Sequence, residues 1–168
     1  MSTDAAEQPV PPPAAEVTHF LAWSRLWSPL LDDRWREEAW QQLGLDGDFN
    51  ANRGDFLRCF HVALPQPPAA LLMHAALDLD GGTVREEFVR IMEYLELDYD
   101  DAGRLPPDHL ACVCELYALA LHLDEPVLVE GLRERYLLPW VQRAAPAVAA
   151  LPVMAALVAR FGEDLAAN

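Results

Sequence analysis

Residues 105–123 of the chain read LPPDHLACVCELYALALHL and contain its most apolar helical pattern. From Pro107 to Leu123, apolar residues occupy nearly every face of the predicted helix, which is typical of a helix surrounded by other helices. Glu115 is the exception, and we expect its side chain either to face a cleft or to pair with an arginine. The stretch therefore predicts an all-α fold, a single-domain helical bundle built around this helix.

The residues that open this central helix are unusual for a helix start. Pro106 and Pro107 restrict the backbone, so a bundle of two lobes would have its hinge near residues 98–107. Asp108 is placed to cap the helix, because a carboxylate there accepts backbone N–H groups and is favoured by the helix dipole. His109 would then project between the lobes. Such a hinge would also allow two protomers to form a homodimer by domain exchange.

The remaining chain also has a helical pattern, without a run of alternating β-branched residues. Thr83 and Glu86 form a predicted capping box. Four of the five tryptophans lie between Trp23 and Trp40, either in the core or lining a peptide groove. Residues 1–14 are predicted to be a disordered proline-rich arm, and residues 15–168 the all-helical domain. Besides the central helix, we predict helices over residues 15–27, 32–43, 52–64, 69–79, 83–97, 125–138, 140–149 and 152–166.

The charge of the chain restricts its partners. The 168 residues have a formal net charge of -15, and all 12 basic residues are arginine. This charge repels nucleic acid and anionic membranes and favours a basic partner, although solubility alone also explains it. The longest uncharged run, from Ala144 to Ala159, is shorter than the roughly 20 residues of a spanning helix. We therefore expect a cytoplasmic protein with no nucleic-acid partner and no membrane insertion.

The sequence gives no motif for catalysis, metal or cofactor. It lacks a Gly-x-Gly-x-x-Gly loop, a P-loop, a Gly-x-Ser-x-Gly elbow and a His-Glu-x-x-His pair. The three cysteines have no regular spacing and are expected to be free, buried thiols; they are Cys59, Cys112 and Cys114. A hydrolase that used His109 would need a nucleophile within reach. The expectation is a protein that is not an enzyme and holds no metal and no cofactor.

A cluster of carboxylates precedes the central helix. It consists of Glu93, Glu96, Asp98, Asp100 and Asp101. The cluster is either a solvated linker or a docking surface for a peptide that carries arginines.

Three segments together resemble a known family. These are Leu105 to Ala111 with Glu115-Leu116, the helix from Val84 to Leu97, and Tyr136 to Trp140. In this order they resemble the TorD/DmsD/NarJ family of redox-enzyme maturation chaperones, over about residues 16–166. The Pro-Asp-His run is the most specific part. This chain has Glu96-Leu97 where the family usually has Gly-Leu.

The resemblance implies a TorD-like helical fold and a chaperone without catalytic activity. Such proteins bind the apo catalytic subunit of a molybdopterin-dependent oxidoreductase, often through its N-terminal twin-arginine signal peptide, and assist cofactor insertion, assembly and export proofreading. Asp108 and His109 would lie in the region for peptide recognition, with Pro106 and Pro107 at the hinge; we add Glu115 as a third candidate contact. The alternative is a non-catalytic assembly subunit or scaffold of a larger redox complex.

Overall fold

A computed structural model of the chain describes residues 14–98 and 105–168. The described residues form helices with no β-strand, so the predicted all-α bundle is confirmed. The helices are α1 (Ala15–Trp27), α2 (Asp33–Gln42), α3 (Phe49–Phe60), α4 (Met73–Ala76), α5 (Gly81–Tyr94), α6 (Leu110–His122), α7 (Pro126–Leu132), a π-helical segment (Arg133–Leu137), α8 (Leu138–Val148) and α9 (Pro152–Ala166).

The central position predicted for α6 is confirmed. Eight of its residues are buried, and α1 packs along it as its main neighbour. Phe20 of α1 meets Tyr117 of α6 edge to face, with ring centroids 4.6 Å apart. Residues before and after the predicted hinge share one hydrophobic core, so the described part of the chain is a single domain and not two separate lobes. Residues 99–104, which include most of that hinge, lie outside the described residues, as do residues 1–13 of the predicted disordered arm over residues 1–14.

Tryptophans fill much of this core. Trp27 contacts the rings of Trp23, Phe56, Trp140 and others, and all four side chains are fully buried. Among the tryptophans expected in the core or lining a groove, Trp35 is not in the core, because its side chain is 42% exposed. On the same helix Arg36 is buried, and its guanidinium donates to Ser28 O (2.8 Å) and Asp33 Oδ1 (2.9 Å).

Aspartates cap three of the helices. Asp32 accepts from the N–H of Trp35 at the start of α2. Asp48 caps α3 in the same way, so α3 begins at Phe49, three residues before its predicted start. The prediction that Thr83 and Glu86 form a capping box is wrong. Asp80 accepts from the N–H of Thr83 at 2.8 Å, so α5 begins at Gly81 and includes Gly81 and Gly82 in its first turn.

The predicted helix over residues 69–79 is reduced to the four residues of α4. Before α4 the chain is extended and lies against the start of α6: Leu110 N–H donates to Leu71 O (2.7 Å), and Met73 N–H donates to Asp108 O (2.9 Å). These bonds occupy backbone groups that a helix would use internally. The segment before α6 is thereby fixed to a part of the chain more than 30 residues away.

The break expected between the helices over 125–138 and 140–149 does not occur. The chain is helical without interruption from Pro126 to Val148, through the π-helical segment. Leu138 N–H donates to Arg133 O, five residues back, and Pro139, which has no N–H to donate, directly follows this π-helical bond. Over the residues that the structure describes, no helix combines the length and the apolar character needed to cross a membrane.

Candidate functional site

His109, and not Asp108, caps the central helix. The Nδ1 atom of His109 accepts from the N–H of Ala111 at 3.1 Å, which identifies His109 as the N-cap residue of α6. The prediction that Asp108 caps this helix is therefore wrong. Its carboxylate is instead directed away from α6, toward α4 and α5.

Asp108 is completely buried and connects three helices. Its Oδ2 accepts from the backbone N–H of His74 (3.1 Å) and lies 2.5 Å from His74 Nδ1. Its Oδ1 accepts from Arg85 Nε at 3.3 Å. This arrangement fixes the His74 tautomer with the proton on Nδ1. Asp108 thus joins α4 and α5 to the start of α6, and its atoms are not accessible for direct contact with a peptide.

His109 is also buried and is held neutral. Burial lowers the pKa of His109 to about 4, an effect that the neighbouring Asp108 partly offsets. His61, close to it in the fold, likewise has a pKa lowered to about 4 by burial and by the nearby Arg36. In this state His109 serves as a helix cap and does not provide a charged contact.

A second polar connection holds α5 to the π-helical segment. Glu87 Oε2 accepts from Tyr136 Oη at 2.6 Å, and Glu87 also forms an ion pair with Arg135. Burial and the bond to Glu87 raise the pKa of Tyr136. The first half of α5 is therefore fixed to its neighbours by Arg85 and Glu87, while its last turn forms the wall of a groove.

This groove is bounded by α1, the end of α5 and the first half of α6, and we call it the α1–α6 groove. It has a volume of about 730 Å³. Its apolar lining comes from all three walls and includes Leu21, Leu30, Met92, Leu97, Leu116 and Leu119. Glu115, one of the three predicted contacts, lines this groove and is exposed. The predicted cleft beside Glu115 is thus present.

Among the described residues, the charged side chains that line the groove are mainly acidic. They are the carboxylates of Glu96, Asp98 and Glu115 and the guanidinium of Arg25. Arg25 also donates to Gln42 Oε1 at 2.9 Å. Two members of the predicted acidic docking surface therefore meet the central helix at an apolar groove, while Asp100 and Asp101 lie outside the described residues.

Glu96 occupies this groove at a conformational cost. Its φ is +58°, in the left-handed region that glycine favours, at the turn that ends α5. A residue with a Cβ pays about 1–2 kcal/mol for this conformation. This is the position at which the resembled family usually has glycine. A strained residue that lines a groove is a candidate for function.

His74 and Arg85 were missed by the sequence reasoning. Both contact Asp108, but they lie 34 and 23 residues from it in the chain. No local spacing signals such contacts. Within the described part of the chain no group of His, Cys, Asp or Glu could hold a metal ion, and the three cysteines are free. Comparison of the sequence with protein-family models and with curated proteins, and of the fold with solved structures, gave no match.

Proposed function

We propose that this chain is a cytoplasmic chaperone for the apo catalytic subunit of a molybdopterin-dependent oxidoreductase. It binds the N-terminal region of that subunit, including a twin-arginine signal peptide where the client has one. It acts without catalysis, and it holds the client while the cofactor is inserted, before assembly and export. The observation that carries the proposal is the apolar α1–α6 groove lined by Glu96, Asp98 and Glu115.

The chemistry of the groove matches that of a signal peptide. Such a peptide combines arginines with an apolar stretch, and a receptor for it needs carboxylates beside an apolar surface. The net charge of -15 adds a long-range attraction for a basic partner. The strained Glu96 supports the same reading, because a glycine there would relieve the backbone but remove a carboxylate from the groove.

Asp108 and His109 take an indirect part in this proposal. They fix the start of α6, and α6 supplies Glu115 and Leu116 to the groove. Both are therefore positioning residues, whereas Glu115 remains a proposed contact.

The substitution Glu96→Gly tests the proposal, because stability and binding should change in opposite directions. Removing the left-handed strain should raise the free energy of unfolding by about 1 kcal/mol. Losing one carboxylate of a charge-assisted pair should weaken binding of a peptide with two arginines followed by an apolar stretch about three- to tenfold. Urea unfolding and calorimetric titration measure the two effects.

Asp124→Gly is the matched control. Asp124 has a φ of +55° and also follows a helix, but it does not line the α1–α6 groove. The control should change stability in the same direction and leave the peptide affinity unchanged. If both variants bind the peptide as the parent chain does, or if the parent chain binds no such peptide, the proposal is wrong.

The alternative is a permanent assembly subunit or scaffold. It differs from a chaperone in how much of this chain remains bound to the mature enzyme. A scaffold would remain bound to the mature enzyme in equal amount. A chaperone should bind the apo subunit and be absent from the enzyme once the cofactor is in place. Purification of the client before and after cofactor loading distinguishes the two.

A further inference from the structure

The chain contains two Asp-Gly sequences, Asp46-Gly47 and Asp80-Gly81. In such a pair the backbone nitrogen of the glycine can attack the side-chain carboxyl carbon of the aspartate, because glycine has no Cβ to hinder the approach. A C–N bond forms, the carboxyl O–H and the amide proton leave together as water, and the product is a cyclic succinimide. Addition of water to the ring restores aspartate or gives isoaspartate, in which the main chain runs through the former side-chain carboxyl group.

The pair Asp46-Gly47 lies in the exposed turn between α2 and α3. Within residues 14–98 and 105–168, the Asp46 carboxylate has no hydrogen-bond or ion-pair partner, and the N–H of Gly47 has no acceptor. Gly47 has a φ of +75°, and a Cβ built there would meet no atom closer than 3.5 Å. The turn therefore leaves both the attacking nitrogen and the carboxyl carbon accessible to each other.

The carboxylate of Asp80 is instead used as a helix cap. Its Oδ1 accepts from the N–H and from the hydroxyl of Thr83, both at 2.8 Å. These bonds lower the pKa of Asp80 and keep its carboxyl ionised, and the ionised form reacts poorly because its oxygen must leave as water. Gly81 is the first residue of α5, and a Cβ there would lie 3.1 Å from His74 Cδ2. Cyclisation at Asp80 must therefore break the cap and move the first turn of α5.

We propose that Asp46 is a site of isoaspartate formation in this protein and that Asp80, in the same dipeptide sequence, is protected by the fold. Exposure does not distinguish the two sites, because both aspartates are exposed. The difference is in their hydrogen bonds. Because the cap of Asp80 must break before reaction, isomerisation there should be at least about tenfold slower than at Asp46.

Isomerisation at Asp46 alters the turn that joins α2 to α3. Trp40 Nε1 donates to the main-chain oxygen of Asp46 at 3.2 Å, and Trp40 is almost completely buried. In isoaspartate this oxygen no longer belongs to the main chain, which is also longer by a carbon atom. Glu37 Oε2 still accepts from the N–H of Phe49, so α3 keeps its start. We expect the modified chain to remain folded, with an equilibrium constant of unfolding raised about two- to tenfold by the loss of a hydrogen bond.

Incubation of the full chain tests the inference. The protein is held for several weeks at about 37 °C and about pH 7, where the neutral buried histidines retain their contribution to stability. Peptides from both sites are then compared by chromatography and by digestion with a protease that cleaves before aspartate but not before isoaspartate. Synthetic peptides of residues 43–50 and 77–84 are the reference, and they should react at similar rates because neither is folded.

Two variants assign the effect to the named groups. Asp46→Glu keeps a carboxylate, but its cyclic product has a larger ring that forms more slowly, so the modification should disappear from this site. Thr83→Val removes the hydroxyl that donates to Asp80 Oδ1 and should raise the rate at Asp80 about two- to tenfold.

Modification of Asp46 well ahead of Asp80 supports the inference. Equal rates at the two sites of the folded chain, or a faster rate at Asp80, would overturn it. An unmodified Asp46 after the reference peptides have reacted would overturn it as well, and an unchanged rate at Asp80 in Thr83→Val would remove the protective role of the cap. None of these results depends on peptide binding, so each leaves the proposed function unaffected.

Discussion

Replacing Asp108 by alanine should destabilise the fold more than replacement of any exposed carboxylate. The substitution leaves the His74 N–H without its acceptor, at about 1–3 kcal/mol, and removes the bond to the His74 ring, at about 1.5–3 kcal/mol. Arg85 contributes little, because its side chain is 46% exposed and regains water. We expect a loss of about 3–5 kcal/mol, which lies within the sum of these two hydrogen-bond contributions.

Such a loss is large for a protein of this size. Native domains have free energies of unfolding of about 5–15 kcal/mol, so Asp108→Ala should remove a third or more of the total in a chain of average stability. The midpoint of thermal unfolding should fall by about 6–20 °C, at about 2–4 °C per kcal/mol. Urea unfolding followed by tryptophan fluorescence is a suitable assay, since four of the five tryptophans are buried.

The control for this prediction is Glu86→Ala. Glu86 is exposed and pairs with Arg90 one helical turn away, so its loss should change the free energy of unfolding by about 0.5 kcal/mol or less. Asp108→Asn retains the shape and one acceptor and should fall between the two. A loss in Asp108→Ala no greater than that in Glu86→Ala would refute the view that this carboxylate holds α4 and α5 to α6.

Two further predictions concern the buried histidines. Acid should destabilise the fold, because the pKa of His61 and of His109 is about 4 in the native state against about 6.5 in the unfolded chain. The native state binds fewer protons than the unfolded chain, so the stability that the neutral histidines contribute is complete above pH 6.5. It is lost as the pH falls toward 4, by up to about 3 kcal/mol per histidine. Urea titrations at pH 7 and pH 4 should show a smaller loss in the double variant His61→Asn/His109→Asn than in the parent chain. At pH 7, His109→Ala should cost about 1–2 kcal/mol and His109→Asn distinctly less, because asparagine can still accept from the Ala111 N–H; equal losses in urea unfolding would show that the cap is unimportant.

Strong periodic signals made most of the bundle predictable from sequence. The first helix was predicted over residues 15–27 and is observed at Ala15–Trp27, because its apolar residues recur on one face and Pro29 stops it. The central position of α6 followed from its lack of a polar face. Helices predicted by local signals of this kind are also present in the folded structure.

The prediction of local structure was wrong where a segment could adopt more than one conformation and contacts outside its local pattern determined which one it adopts. Leu72 and its neighbours were predicted to be helical, but Asp108 and Leu110 bind their backbone groups. At the start of α5, both Asp80 and Thr83 were capable caps, and the sequence alone could not choose between them. The groove was only partly predictable: the acidic cluster and Glu115 were identified, but the wall from α1 was not, since it depends on how α1 packs against α6.

Asp108 and Glu96 show why a carboxylate's role must be judged from its surroundings. Asp108 is part of the most specific motif in the sequence, yet its oxygens are fully used within the fold. Glu96 was predicted only as one carboxylate of an acidic cluster and as a departure from a glycine, yet it keeps a strained backbone while its side chain lines the groove. A fold selected for stability alone would have glycine at residue 96 and would still need Asp108. Glu96, which lowers stability, is therefore the better candidate for binding. Asp108, which raises stability, is the better candidate for holding the groove in place.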